Sequence, residues 1–262
     1  MCRWLVWQGE PLFLDELIFA PSHSLVAQAL LSREAKMDTN ADGFGLGWYA
    51  HRAEPCVYRD TLPAWADENL KNLAGHVRAQ SFFAHVRAST GTSTARANCH
   101  PFAWGKWLFM HNGQIGGYER VRRDLEAELT DACYDRRAGT SDSELLFLLA
   151  IGFGLEAAPL PAITAALALA RHCARAKQMH QPLRFTAALS NGPELMAVRW
   201  SSDAHPPSLY YRETPSGVVV VSEPLDDVTA NWLPVPPNHV LQAVDGKVRS
   251  IQPFGLSDRE AA

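Results

Sequence analysis

Along the first half of the chain, apolar residues gather in short β-prone runs, CRWLVW, FGLGWYA, PCVYRD, SFFAHVR and WLFMHNG, separated by Gly, Pro, Asn and Asp clusters that read as turns. The last third returns to the same pattern in RFTAALSN, LMAVRW, SLYYRE, GVVVVSE and HVLQAVDGKVRSI, where the Asp-Gly step suits a tight hairpin turn. Between these stretches the period changes. Val121, Leu125 and Leu129 recur four apart among charges, predicting an amphipathic surface helix over 117–130. Ser141 with Glu144 three residues on is a helix start, followed by the apolar run LLFLLAIGF of a buried helix. A further helix is expected from about Pro161 to Met179, a segment rich in strong helix formers. Strands, then helices, then strands, without βαβ alternation, predict an α+β layered fold.

A chain of 262 residues can bury a large core without disulfide or metal support, and no Pro-, Gly- or Ser-rich linker divides it. One domain over 2–255 is expected, with a short tail at 256–262 and no separate synthase or acceptor module. The net charge of -4 removes the basic excess that nucleic acid or an anionic membrane would need, and no apolar run approaches the ~18 residues of a spanning helix. The N-terminus lacks the parts of a secretory signal, so a cytoplasmic protein is expected. Cys2, Cys56, Cys99, Cys133 and Cys173 are odd in number and contain no CxxC pair, and no HExxH is present. Neither a disulfide framework, a metal nor a cofactor is expected. Gly43, Gly45 and Gly47 alternate, unlike a GxGxxG nucleotide fingerprint; they suit a strand that another backbone approaches closely, or a kinked one.

Candidate chemistry begins at Cys2. Removal of Met1 would leave an α-amine on the residue that carries the thiol, with reference pKa values of about 7.7–8.0 and 8.5, matched for proton exchange near neutrality. A side-chain nucleophile activated by its own N-terminal amine is an established device, whereas a Cys at this position that only packs is the simpler use of the residue. Asn112 and Gly113 can supply a side-chain amide and a backbone N–H to a developing oxyanion, or they can form a plain Asn-Gly turn. Arg87 can grip a carboxylate with two parallel N–H groups and Asp142 can accept from an ammonium group, together reading the two ends of an amino acid. Taken singly, Arg87 also suits a surface ion pair and Asp142 the first turn of a helix.

In order, MCRW, NADGFGLGWY, FFAHVRAST, NCHPF, FMHNGQI, GTSDSE and SEPL resemble the class II glutamine amidotransferase family, over roughly 2–225. The resemblance implies an N-terminal-nucleophile αββα four-layer sandwich with two stacked antiparallel sheets. It also implies that Cys2 attacks the γ-amide of glutamine or of a γ-glutamyl amide, that Asn112 and Gly113 hold the oxyanion, and that water hydrolyses the resulting thioester. Arg87 matches the family's carboxylate-binding Arg and Asp142 its ammonium-binding Asp. Ammonia would pass to a separate accepting enzyme or be released. PSHSLVAQAL followed by NADGFGLGWY is similar to the γ-glutamyl amidohydrolases of ergothioneine biosynthesis. A catalytically silent binding or regulatory subunit would share the same fold motifs.

Overall fold

The computed structural model describes residues 2–34, 39–89 and 93–256, so Met1 and all of the expected tail but Leu256 lie outside the described residues. In chain order come β1 (Arg3–Phe13), α1 (Asp15–Ile18), α2 (Leu25–Leu30), β2 (Phe44–Tyr49), β3 (Cys56–Asp60), α3 (Glu68–His76) and β4 (Arg78–Val86). They are followed by β5 (Phe102–Trp104), β6 (Trp107–Gln114), α4 (Tyr118–Ala127), α5 (Asp131–Arg136), α6 (Asp142–Gly152) and α7 (Pro159–Ala176). The chain then forms β7 (Arg184–Ser190), β8 (Glu194–Ser201), β9 (Tyr210–Thr214), β10 (Gly217–Val221), β11 (Leu233–Pro234), β12 (His239–Val244) and β13 (Lys247–Pro253).

Two antiparallel sheets result, one ordered β11-β9-β10-β1-β4-β2-β3 and the other β13-β12-β8-β7-β6-β5. Strand alternation sorts their side chains into layers. In β1, Trp4 and Val6 enter the core between the sheets, while Leu5 and Trp7 enter the core under α1, α2 and α3. In β6, Leu108 and Met110 face the other sheet, while Trp107 and Phe109 pack beneath α4, α6 and α7. Strands apolar on both faces therefore follow from burial on both sides, and the layers run helix, sheet, sheet, helix. This is the layered arrangement of two antiparallel sheets that the resemblance implies.

The helical expectations differ from the structure at their ends. The last long helix runs Pro159–Ala176, because prolines in a first turn have no helical N–H to lose. Ser141 does cap α6 by accepting from the Glu144 N–H at 3.2 Å. Glu144, however, does not bond back to Ser141; its carboxylate accepts from Ala138 and Gly139 N–H at 3.0 and 2.7 Å. Asp245 and Gly246, with φ of 49° and 76°, make the hairpin turn between β12 and β13.

Candidate active site

The inter-sheet layer is apolar at its centre and polar at its ends, and alternation determines which residues reach the end near Cys2. Cys2 precedes β1 on the parity of Trp4 and Val6. Asn112 continues the parity of Leu108 and Met110 on β6, and His85 that of Phe83 on β4. Arg3 pairs with Val86, so Cys2 and Arg87 flank the next position outward. The Cys2 thiol lies 3.6 Å from the Ala88 carbonyl oxygen, and burial pushes its pKa up against the opposing pull of that contact and of nearby Arg87.

Asn112 and Gly113 lie inside β6, which overturns the Asn-Gly turn. Asn112 is 2% exposed, and its side-chain nitrogen is buried with no hydrogen-bond partner. Such a donor costs about 1–3 kcal/mol to leave unmet, so its retention needs a reason. Gly113 has a steric one: a Cβ there would stand 1.9 Å from the Arg184 carbonyl oxygen and 2.4 Å from His111 Nε2.

Arg87 is buried, donating to the Asp42 carbonyl, Ser89 Oγ and the Ser93 carbonyl, each at 3.2 Å. It is thus no surface ion-pair residue. Asp142 opens α6 and accepts from the Ile115 N–H at 2.8 Å, which fixes the exit of β6 against the helix start. His111 ties the same elements, meeting Ser143 Oγ at 2.8 Å and the Arg184 carbonyl at 3.1 Å. A carbonyl only accepts, so Nε2 carries the proton and Nδ1 accepts from the Ser143 hydroxyl.

Four further neighbours, none a candidate from the sequence, lie within the blocks quoted above. His85 and His100 stack with centroids 4.3 Å apart, and none of their four ring nitrogens has a hydrogen-bond partner. Burial, reinforced by Arg87, lowers the His85 pKa to about 3, and burial beside His85 takes His100 well below its ordinary value. Both rings are neutral at physiological pH. His100 reaches the site because β2 offers glycine on its inner face: a Cβ at Gly45 would be 2.0 Å from the His100 carbonyl oxygen, so close approach explains these alternating glycines. Glu223, in the block SEPL, is ion-paired with buried Arg3 at 2.8 Å, and Arg3 in turn donates to the Cys2 carbonyl at 3.3 Å. Asn98, in NCHPF, accepts from the Thr140 N–H at 2.7 Å and so joins that loop to the start of α6. Blocks distant in sequence are braces for one another.

Among the described residues no group of three or more His, Cys, Asp or Glu side chains could hold a metal ion. Among the described residues, no helix is long and apolar enough to cross a membrane.

Comparison with known proteins gives a consistent result. The family model for glutamine amidotransferases class-II matches residues 17–215. A solved glutamine aminotransferase class-II domain protein from Silicibacter pomeroyi is 36% identical, with a TM-score of 0.76 over 97% of this chain and 99% of that one. Gamma-glutamyl-hercynylcysteine sulfoxide hydrolase of Mycolicibacterium smegmatis is 29% identical over 95% of this chain and 98% of its own. The Saccharomyces cerevisiae protein named "Probable glutamine amidotransferase DUG3" is 37% identical over 57% of this chain, a match spanning only 44% of the yeast protein. The B. subtilis glutamine phosphoribosylpyrophosphate amidotransferase shares the fold, with a TM-score of 0.64 at 16% identity.

Proposed function

This chain belongs to the class II glutamine amidotransferases, and from that membership we propose that it hydrolyses the γ-amide of glutamine or of a γ-glutamyl amide with Cys2 as nucleophile. The observation that carries this reading is the Asn112 side-chain nitrogen, buried without an acceptor on β6. A donor unmet at rest is suited to charge that exists only during reaction.

Loss of Met1 exposes the α-amine of Cys2. Burial raises the thiol pKa, so the thiol is protonated at rest and needs a base; the α-amine is on the same residue. Sulfur attacks the γ-carbonyl carbon, and the carbonyl oxygen becomes an oxyanion that accepts from Asn112 Nδ2 and the Gly113 N–H. Collapse expels the amine, which leaves with the proton that the thiol gave up. Water then attacks the γ-glutamyl thioester, releasing glutamate and restoring the thiol. Arg87 and Asp142 bind the α-carboxylate and α-ammonium of the glutamyl end. The neutral His85–His100 stack keeps the surroundings of Cys2 from gaining positive charge as pH falls.

The near full-length match to the Mycolicibacterium hydrolase favours a γ-glutamyl amide larger than glutamine as substrate. A cytoplasmic location fits an enzyme that needs a reduced thiol. Ammonia or amine is released to solvent or to a separate accepting enzyme, and the domain spans 2–255. A silent subunit is the competing reading, and retention of Cys2, Asn112, Gly113, Arg87 and Asp142 together speaks against it. The test is Cys2→Ala: the variant should keep its melting temperature and lose γ-amide hydrolysis, and substantial turnover by the purified variant would overturn the mechanism.

A further inference from the structure

A buried carboxylate grips the residue next to the nucleophile, and the reaction as written leaves it without a part. Glu223, just after β10, is 2% exposed, and its two oxygens meet four partners. These are the His23 ring at 2.5 Å, the Arg33 and Glu34 N–H groups at 2.8 and 3.2 Å, and Arg3 Nε at 2.8 Å. Gln28 fixes the residue further by donating to its carbonyl oxygen at 3.2 Å. Burial opposes ionisation of Glu223, but His23, the Arg33 N–H, Arg3 and the Glu34 N–H outweigh it and hold the carboxyl below its usual range. It therefore carries its charge at physiological pH. Arg3 is fully buried, and its Nη1 donates to the Cys2 carbonyl at 3.3 Å. Ser222 clamps the following residue: its hydroxyl accepts from the Trp4 N–H at 2.9 Å and its own N–H donates to the Trp4 carbonyl at 3.0 Å.

A buried ion pair is a weak source of stability, since desolvation offsets most of its attraction. Its place beside Cys2 points to a different use. Once Met1 is gone, the α-amine and the carbonyl belong to one residue, with nitrogen and oxygen roughly 3 Å apart by covalent geometry. The Arg3 guanidinium, bonded to that carbonyl, is therefore within about 7 Å of the base that takes the thiol proton. Alone, it would favour the neutral amine and weaken it as a base; the charge of Glu223 offsets that field. Other charged or titratable groups bear on the same point from the surrounding elements. Arg87 at the end of β4 acts on Cys2, and Cys99 before β5 interacts with it. The His85 and His100 rings are neutral, and the Asp42 carboxylate is held by the Ser89 N–H at 2.7 Å. Glu34 also acts on Arg3, but it is exposed and its charge is screened by water.

We propose that Glu223 is a positioning residue of the hydrolysis: through Arg3 it holds the main chain of Cys2 and offsets the guanidinium charge beside the α-amine that serves as base. The inference rests on the hydrolase reading above. Neither Glu223 nor Arg3 touches substrate or exchanges a proton. The thiol proton still passes to the α-amine and departs on the expelled nitrogen.

The experiment follows kcat/KM against pH for whichever of glutamine and γ-glutamyl-p-nitroanilide is cleaved faster; the acid limb reports the α-amine of the free enzyme. Glu223→Gln leaves Arg3 unopposed, so the limb should move to lower pH by about one unit, with a plateau about threefold lower or more from the weaker base. Arg3→Gln leaves Glu223 unopposed, and the limb should move to higher pH by a similar amount. The double variant should return it to within about 0.3 unit of wild type. Glu223→Asp and Arg3→Lys conserve charge but not geometry, and should lower the plateau without moving the limb. Mass spectrometry checks that every variant begins at Cys2, and thermal melting that it is folded. If one single variant is not folded, the sign of the other decides; if neither is, a limb displaced in the charge-conserving pair overturns the proposal and a fixed one supports it. A limb that stays fixed in folded Glu223→Gln and Arg3→Gln, or moves the same way in both, makes the pair purely structural and overturns the proposal while leaving the hydrolase reading intact. A limb abolished by His23→Gln belongs to His23 and overturns it as well. Absence of Cys2-dependent hydrolysis of either substrate by the wild type overturns the hydrolase reading, and the proposal with it.

Discussion

The two ends of the inter-sheet layer are both polar, but they treat their polar groups in opposite ways. At the end away from Cys2, Gln8 donates to the Gly192 and Pro193 carbonyls at 3.0 and 2.8 Å and accepts from the Gly246 N–H at 3.1 Å. The Tyr49 hydroxyl lies 2.8 and 2.7 Å from the Lys106 and Ser190 carbonyls. Only Ser81 Oγ among the buried side chains lining that end's cavity, of about 1300 Å³, has no partner. At the Cys2 end Asn112 Nδ2 and every ring nitrogen of His85 and His100 are unpartnered. Volume does not mark the chemistry here. Unmet hydrogen-bonding capacity does, because a stable fold tolerates it where a ligand or transition state supplies the partner.

The largest effect that sharpens this contrast is expected from Asn112→Ala. Steady-state kinetics should show kcat lower by roughly 10²-fold with a smaller change in KM, since the donor is needed when negative charge develops. Its melting temperature should barely move, because the side-chain N–H has no native partner to lose. An unchanged kcat would remove Asn112 from the site. Arg87→Ala comes next, with kcat/KM for glutamine down at least ~30-fold, the loss of one partner of a desolvated charge pair. Toward a substrate whose α-carboxylate is already an amide, the same variant should lose little more. An equal penalty on both substrates would make Arg87 purely structural.

At the opposite end the expectation reverses. Gln8→Ala strands two carbonyls and the Gly246 N–H, and denaturant titration should show about 2 kcal/mol less stability. Its kcat should stay within about twofold of wild type; a large fall would dissolve the distinction between the ends. Stability should also depend on pH. His85 is lowered to about 3 and His100 is also well below its ordinary value, so the folded state stays neutral while the unfolded chain binds protons below about 6.5. Stability should be insensitive to these groups above pH 6.5 and fall below it, by up to about 1.4 kcal/mol per pH unit for each histidine. Urea titrations that are flat from pH 7 to 5 would contradict neutral burial.

Much of this fold is legible in the sequence because strands buried on both faces are dense in apolar and β-branched residues, as GVVVV in β10 is. The helices α4 and α6 announce themselves by period and cap. The short helices α1, α2, α3 and α5 do not, because four to nine residues hold too little periodicity to stand out from a loop. In the site, Cys2 is legible from its position and Asn112 from its motif. Their braces are not: Arg3 meets Glu223 and Asn98 meets Thr140 only after the fold assembles, and no local pattern encodes such pairs. His85 left a usable trace, two residues before Arg87 on the same strand parity.

The central claim is that Cys2 is the nucleophile and that its own amine activates it. Mass spectrometry of the purified protein after exposure to a glutamine-like electrophile tests this most directly. The account predicts a chain beginning at Cys2 that gains a single adduct on that residue, slowed by added glutamine, with none on exposed Cys56 or on buried Cys99, Cys133 and Cys173. A fully active chain that retains Met1, or labelling of the other thiols while Cys2 stays unmodified, would contradict it.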